Sequence, residues 1–232
     1  MNLSTRIAIS SALLLIIIVL ALIGGKNKVH SASVKMLTRS GIFAAISVIL
    51  YIVPIFNLSL PIFPSFLKIH FDEIPAFIAG FAYGPVSACL VIVVKTLVKL
   101  PLTSTMGVGE LADLIYSLAF VIPASIIYKK IHNFKGAVIG LLVSTTVQLV
   151  VSTFFTTFVI LNFYMFVMGW NESLILMLCQ KVNPAVNDLR FSFLFLVSLP
   201  FNALKDAIVV ILTLILYKKT HKLIDKIGAE KN

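Results

Sequence analysis

The sequence predicts an all-α integral membrane protein, a six-helix transmembrane bundle preceded by one additional N-terminal helix or signal anchor. Three observations carry that reading. Of 232 residues 59% are apolar and 12% charged, with a mean hydropathy of +1.07; one soluble globule cannot bury so much, so lipid must solvate much of the surface. The apolar residues fall in runs of the ~20 residues that a spanning helix needs, divided by short polar or basic breaks. Strand-type alternation is absent, which leaves helices as the spanning element.

The first run, residues 7–25, lies between Arg6 and the break Lys26-Asn27-Lys28 and is either a signal anchor or an extra helix. Ser31-Ala32-Ser33 faintly resembles a small-residue cleavage site, which the intervening lysines oppose, and Met36 offers an internal start. The chain thus divides into residues 1–35, an apolar segment with a basic linker, and residues 36–232, the six-helix core with a basic tail. The second run, residues 40–56, ends in a stretch holding Pro54, Pro61 and Pro64. Their fixed φ and missing N–H groups forbid a continuous helix, so a structured loop follows. A short helix is expected over residues 72–83, punctuated by Gly84-Pro85, and another over 86–100. Residues 101–109, rich in Thr, Ser and Gly, form a loop, and Glu110 opens a helix that runs to Tyr128. Residues 136–166 make one apolar segment too long for a straight span, so it tilts or protrudes. A polar loop over residues 180–190 precedes the last span, 191–217, which ends at Lys218-Lys219.

Charge fixes the expected orientation. With residues 26–39 in the cytoplasm, twelve basic residues fall inside (Lys26, Lys28, Lys35, Arg39, Lys129, Lys130, Lys135, Lys218, Lys219, Lys222, Lys226 and Lys231). Only Lys68, Lys181 and Arg190 fall in outside loops, so the positive-inside rule puts both ends of the core in the cytoplasm of a multi-pass cell-membrane protein. The net charge of +10 does not indicate a nucleic-acid partner, because the basic residues sit at helix ends rather than in one stripe. Cys89 and Cys179 lack a CxxC spacing and read as apolar core residues.

Several chemistries are excluded. No GxxxxGK[ST] loop occurs, since Gly25-Lys26 lacks the upstream glycine and is followed by Asn27, so the chain has no ATPase motif of its own. HExxH, GxSxG and His/Cys metal spacings are also missing, and His30, His70, His132 and His221 are scattered. A transport subunit rather than an enzyme is therefore expected, without a metal or cofactor. A membrane-embedded enzyme or a structural membrane subunit stands as the rival class.

Charges at membrane depth cost at least ~2.5 kcal/mol each, so Asp72, Glu73, Lys95, Lys99, Glu110, Asp113, Lys205 and Asp206 each need a partner, a cavity or a function. Lys95 or Lys99 can snorkel, and Lys205 can pair with Asp206 or Glu110. As a set gathered toward one membrane face they read as a polar binding cavity. Asn202 and Lys205 share a helix face one turn apart, and Pro200 frees a carbonyl before them. Asn162, between Leu161 and Phe163, is an amide that needs a partner. Aromatics lie nearby at Phe163, Tyr164, Phe166, Phe191, Phe193, Phe195 and Phe201. Such a stripe packs helices or lines an interface; interleaved with amides and a lysine it also fits a flat heteroaromatic ligand.

Five runs together carry a family resemblance: residues 66–76 (FLKIHFDEIPA), 80–85 (GFAYGP), 94–96 (VKT), 107–113 (GVGELAD) and 200–205 (PFNALK). In this order the chain resembles the substrate-binding S components of energy-coupling factor (ECF) vitamin transporters over residues 40–217, and within them the riboflavin-specific RibU type. The resemblance implies a six-helix bundle that captures vitamin from outside. It also implies delivery together with a transmembrane coupling subunit and two ATPase subunits. In that type the PFNxxK run and an Asn of the fifth helix contact the flavin, which maps to Asn202, Lys205 and Asn162. The loop after the first core helix covers the site, which maps to residues 60–67 and so to Ser65, Phe66 and Leu67. Lys95 and Glu110 complete the candidate substrate-binding set. Small residues on the first helix dock the coupling subunit, which maps to Gly41 and Ala45, a spacing that lets helices approach closely. The family commonly reads Asp-Phe-Ser-Asp where this chain has His70-Phe71-Asp72-Glu73, and Asn where it has Thr96 and Asp113. A flavin relative or another vitamin such as folate is the alternative ligand.

Overall fold

A computed structural model describes residues 34–229, with side chains over 36–221. The segment 7–25 expected as an anchor or extra helix lies outside the described residues. Helix α1 is Val34–Ile52. It stops ahead of Pro54, which disfavours a helical residue before it; Val53 is extended and Pro54–Phe56 makes a single 3₁₀ turn. The Pro-rich stretch is a structured loop, as expected. Leu58 and Ile69 exchange two backbone hydrogen bonds of 3.0 and 2.8 Å, and Phe63 and Ile69 pack with Phe201.

Helix α2, Glu73–Tyr83, is buried at every residue but Tyr83. Its 11 residues span roughly 16 Å at 1.5 Å per residue, about half the ~30 Å hydrocarbon layer. It packs against α1, α3 (Pro85–Lys99), α4 (Val108–Lys130) and α7 (Phe191–Phe193, Leu194–Ser198 and Leu199–Ala229 in continuous sequence). Helix α2 is short, as expected for residues 72–83. Among the described residues four helices are long and apolar enough to cross a membrane, with Met36–Ile52 and Glu73–Tyr83 as shorter apolar helices. The stretch before α2 need not be helical, because loop backbone is tolerated where it packs on protein rather than lipid. Gly84 at φ +94° supplies the turn between α2 and α3, a backbone state that glycine adopts without penalty, and Pro85 sits at the first position of α3 where its missing N–H costs nothing.

Helix α5, Phe134–Val167, is 34 residues long, confirming the expectation of one segment longer than a straight span. Asn133 caps it by accepting from the Gly136 N–H at 2.9 Å. Gly140 allows α4 and α5 to touch, since a Cβ there would meet the Ala124 carbonyl at 2.9 Å. Helices α5 and α7 each contain a π-helical turn, Thr156–Ile160 and Leu194–Ser198. A further short helix, α6 (Glu172–Gln180), lies in the connection between them and was not anticipated. Asn171 caps it through the Leu174 N–H at 2.7 Å, and Ile175 and Cys179 bury it against Val186, Leu189 and Phe193. Asp188 accepts from the N–H groups of Arg190, Phe191 and Ser192, which caps α7 and holds the carboxyl below the usual carboxylate range, the Arg190 bond contributing most.

Among the described residues two large apolar cores result beside the small cluster of Phe63, Ile69 and Phe201. One, around Phe77, Phe81, Phe120, Tyr128, Leu141 and Val209, closes the end where α4 finishes at Lys129-Lys130. There the Tyr128 and Tyr217 hydroxyls meet at 3.0 Å. The other, around Ile115, Phe155, Ile160, Tyr164 and Phe193, supports the opposite end, and it is this end that is hollow.

Candidate functional site

A cavity of about 490 Å³ opens among the end of α1, the Pro-rich loop, the start of α4, the end of α5 and α7. Its volume falls in the range of about 300–1,000 Å³ usual for small-molecule sites. The loop contributes Ser65, Phe66, Leu67 and Lys68 to the wall. The π-helical turn of α5 brings Thr156, Ile160 and Tyr164 onto one inward row, and Thr156 meets the Tyr116 hydroxyl at 2.7 Å. Trp170 joins two of these walls, its ring centroid 6.2 Å from Phe66 and 5.4 Å from Tyr164. About half of the lining residues are aromatic or aliphatic, which suits a flat ring system.

Lys205, Asp113 and His70 form one polar cluster in the wall. Lys205, 4% exposed, donates to Glu73 Oε1 at 2.6 Å and lies 3.9 Å from Asp113 Oδ1. The sequence offered Asp206 or Glu110 as its partner; Glu73 of α2 holds it instead. Asp206 makes no hydrogen bond to Lys205, and both its oxygens are buried without one among the described residues. An ammonium carries three donors, so one bond to Glu73 leaves Lys205 donors free for the cavity. Asn202 commits its amide N–H group to the Ser198 carbonyl at 2.8 Å, which leaves its carbonyl oxygen as an acceptor. Glu110 lines the cavity and accepts from Thr103 at 2.6 Å and Thr105 at 3.0 Å, tying down the loop before α4.

Beneath this floor lies an ion network. Lys95 is fully buried and pairs with Asp72, with Asp113 Oδ2 at 2.9 Å and with the Ser117 hydroxyl at 2.8 Å. Asp72, Glu73 and Asp113 could offer oxygens within 4.8 Å of one another to a metal ion, but Lys95 and Lys205 already supply the positive charge there. Buried ions persist only when so paired.

The chain matches the family described as the substrate-specific component of ECF transporters, over residues 35–217. It belongs to that family. A riboflavin transporter, RibU, of Staphylococcus aureus (strain TCH60) is 25% identical over 205 residues, covering 88% of this chain and 99% of that protein. A riboflavin transporter, FmnP, of Bacillus subtilis (strain 168) is 24% identical over 182 residues, covering 77% and 89% respectively. The solved structure of the S component of a bacterial ECF transporter superposes with a TM-score of 0.64 at 23% identity, over 82% of this chain and 97% of that one, a shared fold. The chain is thus a multi-pass membrane subunit for substrate binding in transport.

In this S component the structure brings Ser65, Phe66, Leu67, Glu110, Asn202 and Lys205 together around one cavity. Two expected site residues lie elsewhere. Lys95 is absent from the cavity wall because its ammonium is consumed by the ion network behind it. Asn162 does not face Asn202 and Lys205: its side chain donates to the Phe158 carbonyl at 2.7 Å, while Thr156, Ile160 and Tyr164, spaced by four, take the inward row of α5. Sequence reading passed over His70, Tyr51, Tyr116 and Trp170 as wall residues. His70 and Tyr51 had a legible signal, being a histidine and a tyrosine on either side of a Pro-rich loop. Gly41 and Ala45 are exposed on α1, and nothing lies within 4 Å of a Cβ placed at Gly41.

Proposed function

We propose that this S component captures riboflavin from outside the cell and passes it to the cytoplasm in complex with a transmembrane coupling subunit and two ATPase subunits. The observation that carries the reading is the cavity, which joins an aromatic enclosure to a floor of lysine donors and amide and carboxylate acceptors. A flavin needs both, because its ring system is flat and apolar while its pyrimidine edge and ribityl chain are polar. The names of the two relatives support the same vitamin. The loop carrying Ser65, Phe66 and Leu67 acts as the cover. The outward face of α1 at Gly41 and Ala45 is the docking surface for the coupling subunit, because small residues permit close helix contact. Both ends of the core lie in the cytoplasm and the cavity faces out, as the distribution of basic residues requires.

Protein purified in mild detergent from cells grown with riboflavin should be yellow, with the absorption bands of bound flavin and quenched flavin fluorescence. A colourless protein that takes up no added riboflavin would overturn the ligand, and binding of folate in its place would reassign it.

A further inference from the structure

Asp113 divides its two oxygens between two tasks. Oδ2 takes the Lys95 ammonium at 2.9 Å, on the buried side. Oδ1 has no hydrogen bond, yet it is not among the sealed, unpartnered atoms, and Asp113 lines the cavity. Oδ1 is therefore the oxygen that meets whatever fills the cavity. Two cationic or donor groups flank it without reaching it: Lys205 Nζ and His70 Nδ1, each at 3.9 Å. That distance exceeds a hydrogen bond, so Oδ1 keeps its acceptor capacity. Lys205 is anchored by Glu73, and Asp113 by Lys95, so neither is free to collapse onto the other.

The floor thus presents a fixed donor beside a fixed anionic acceptor, about as far apart as two protein atoms that bind neighbouring atoms of one ligand. We propose that Asp113 is a specificity-determining residue, whose Oδ1 accepts an N–H of the ligand next to the carbonyl held by Lys205, so that the site selects rings carrying adjacent carbonyl and N–H groups. The proposal rests on the flavin reading above, since the pyrimidine ring of a flavin carries N3–H between two carbonyls. A ligand without that N–H leaves a buried carboxylate oxygen facing a carbonyl or a methyl group, an arrangement whose cost falls on the ligand lacking the donor.

The test is a cycle of two proteins and two ligands, the wild type and Asp113→Asn against riboflavin and 3-methylriboflavin. In the wild type, methylation should weaken binding roughly ten- to hundredfold, the range for a charge-assisted hydrogen bond. Methyl bulk alone would cost the same in both proteins, because Asn is isosteric with Asp. Contact with Asp113 instead makes the penalty shrink by about tenfold in Asp113→Asn. An equal penalty in both proteins overturns the proposal and leaves the flavin reading intact. Failure of the wild type to bind riboflavin overturns both together. Should Asp113→Asn not fold, wild-type protein with ¹⁵N-labelled riboflavin decides: a downfield shift of the bound N3–H proton is expected, and an unshifted one sinks the proposal.

Discussion

Lys205 shows how much a single residue can be read without a structure. Its presence in an apolar helix, one turn from Asn202, marked it as a site residue, and both line the cavity. What spacing could not reveal was the partner, because Glu73 lies 132 positions away in sequence and only the packing of α7 on α2 unites them. The pair separates stability from binding. Lys205→Met alone should lower stability by about 3–5 kcal/mol, the cost of leaving one buried charge unpaired. The double variant Glu73→Gln/Lys205→Met should regain much of that loss in a thermal melt while remaining weakened in riboflavin binding by roughly tenfold or more. Recovery of both would make Lys205 a purely structural ion. Asn162 gives the opposite expectation: because it is absent from the cavity wall, Asn162→Ala should change riboflavin affinity less than about threefold, well under the tenfold that 1.4 kcal/mol represents. A larger loss in titration would bring Asn162 into the site.

At the scale of elements, apolar run lengths anticipated α1, α3, α4 and the over-long α5, and the prolines anticipated the loop. Two features escaped. Helix α6 is short, yet Asn171 followed by Glu172 is a start signal of ordinary kind, so it was legible and passed over. The π-helical turns carry no comparable residue signature, since one extra residue per turn is decided by packing; such turns gather at functional sites, and here one of them, Thr156–Ile160, carries two of the wall residues of α5. Asn162, two positions from both Ile160 and Tyr164, falls on another face of α5 and is absent from the wall. Helix α1 has a different exposure: Gly41 and Ala45 face outward rather than into the bundle. Gly41→Leu or Ala45→Leu should therefore leave riboflavin affinity unchanged within about twofold, as surface changes do. Uptake by cells carrying the whole transporter should fall sharply because bulk there blocks close helix docking. Loss of binding along with uptake would show that these residues serve the bundle.

For the whole molecule, the two ends differ in chemistry as well as in charge. The end holding Tyr128, Tyr217 and Lys129-Lys130 is filled with aromatic contacts, and Lys218 rests over the Phe134 ring at 5.3 Å. The other end is hollow and holds the cavity. Packing alone does not say which end faces the cell interior; the proposed orientation, with the filled end inside, rests on the twelve-to-three distribution of basic residues. Labelling tests this in a background with Cys89→Ala and Cys179→Ala, which removes the native thiols. Ala185 lies exposed in the connection between α6 and α7, and Lys135 lies exposed at the start of α5. Ala185→Cys should react with a membrane-impermeant thiol reagent added to intact cells, and Lys135→Cys should react only after the membrane is opened. The reverse pattern would turn the cavity toward the cytoplasm, where a subunit that captures vitamin from outside could not use it, so the orientation and the direction of capture stand or fall on the same measurement.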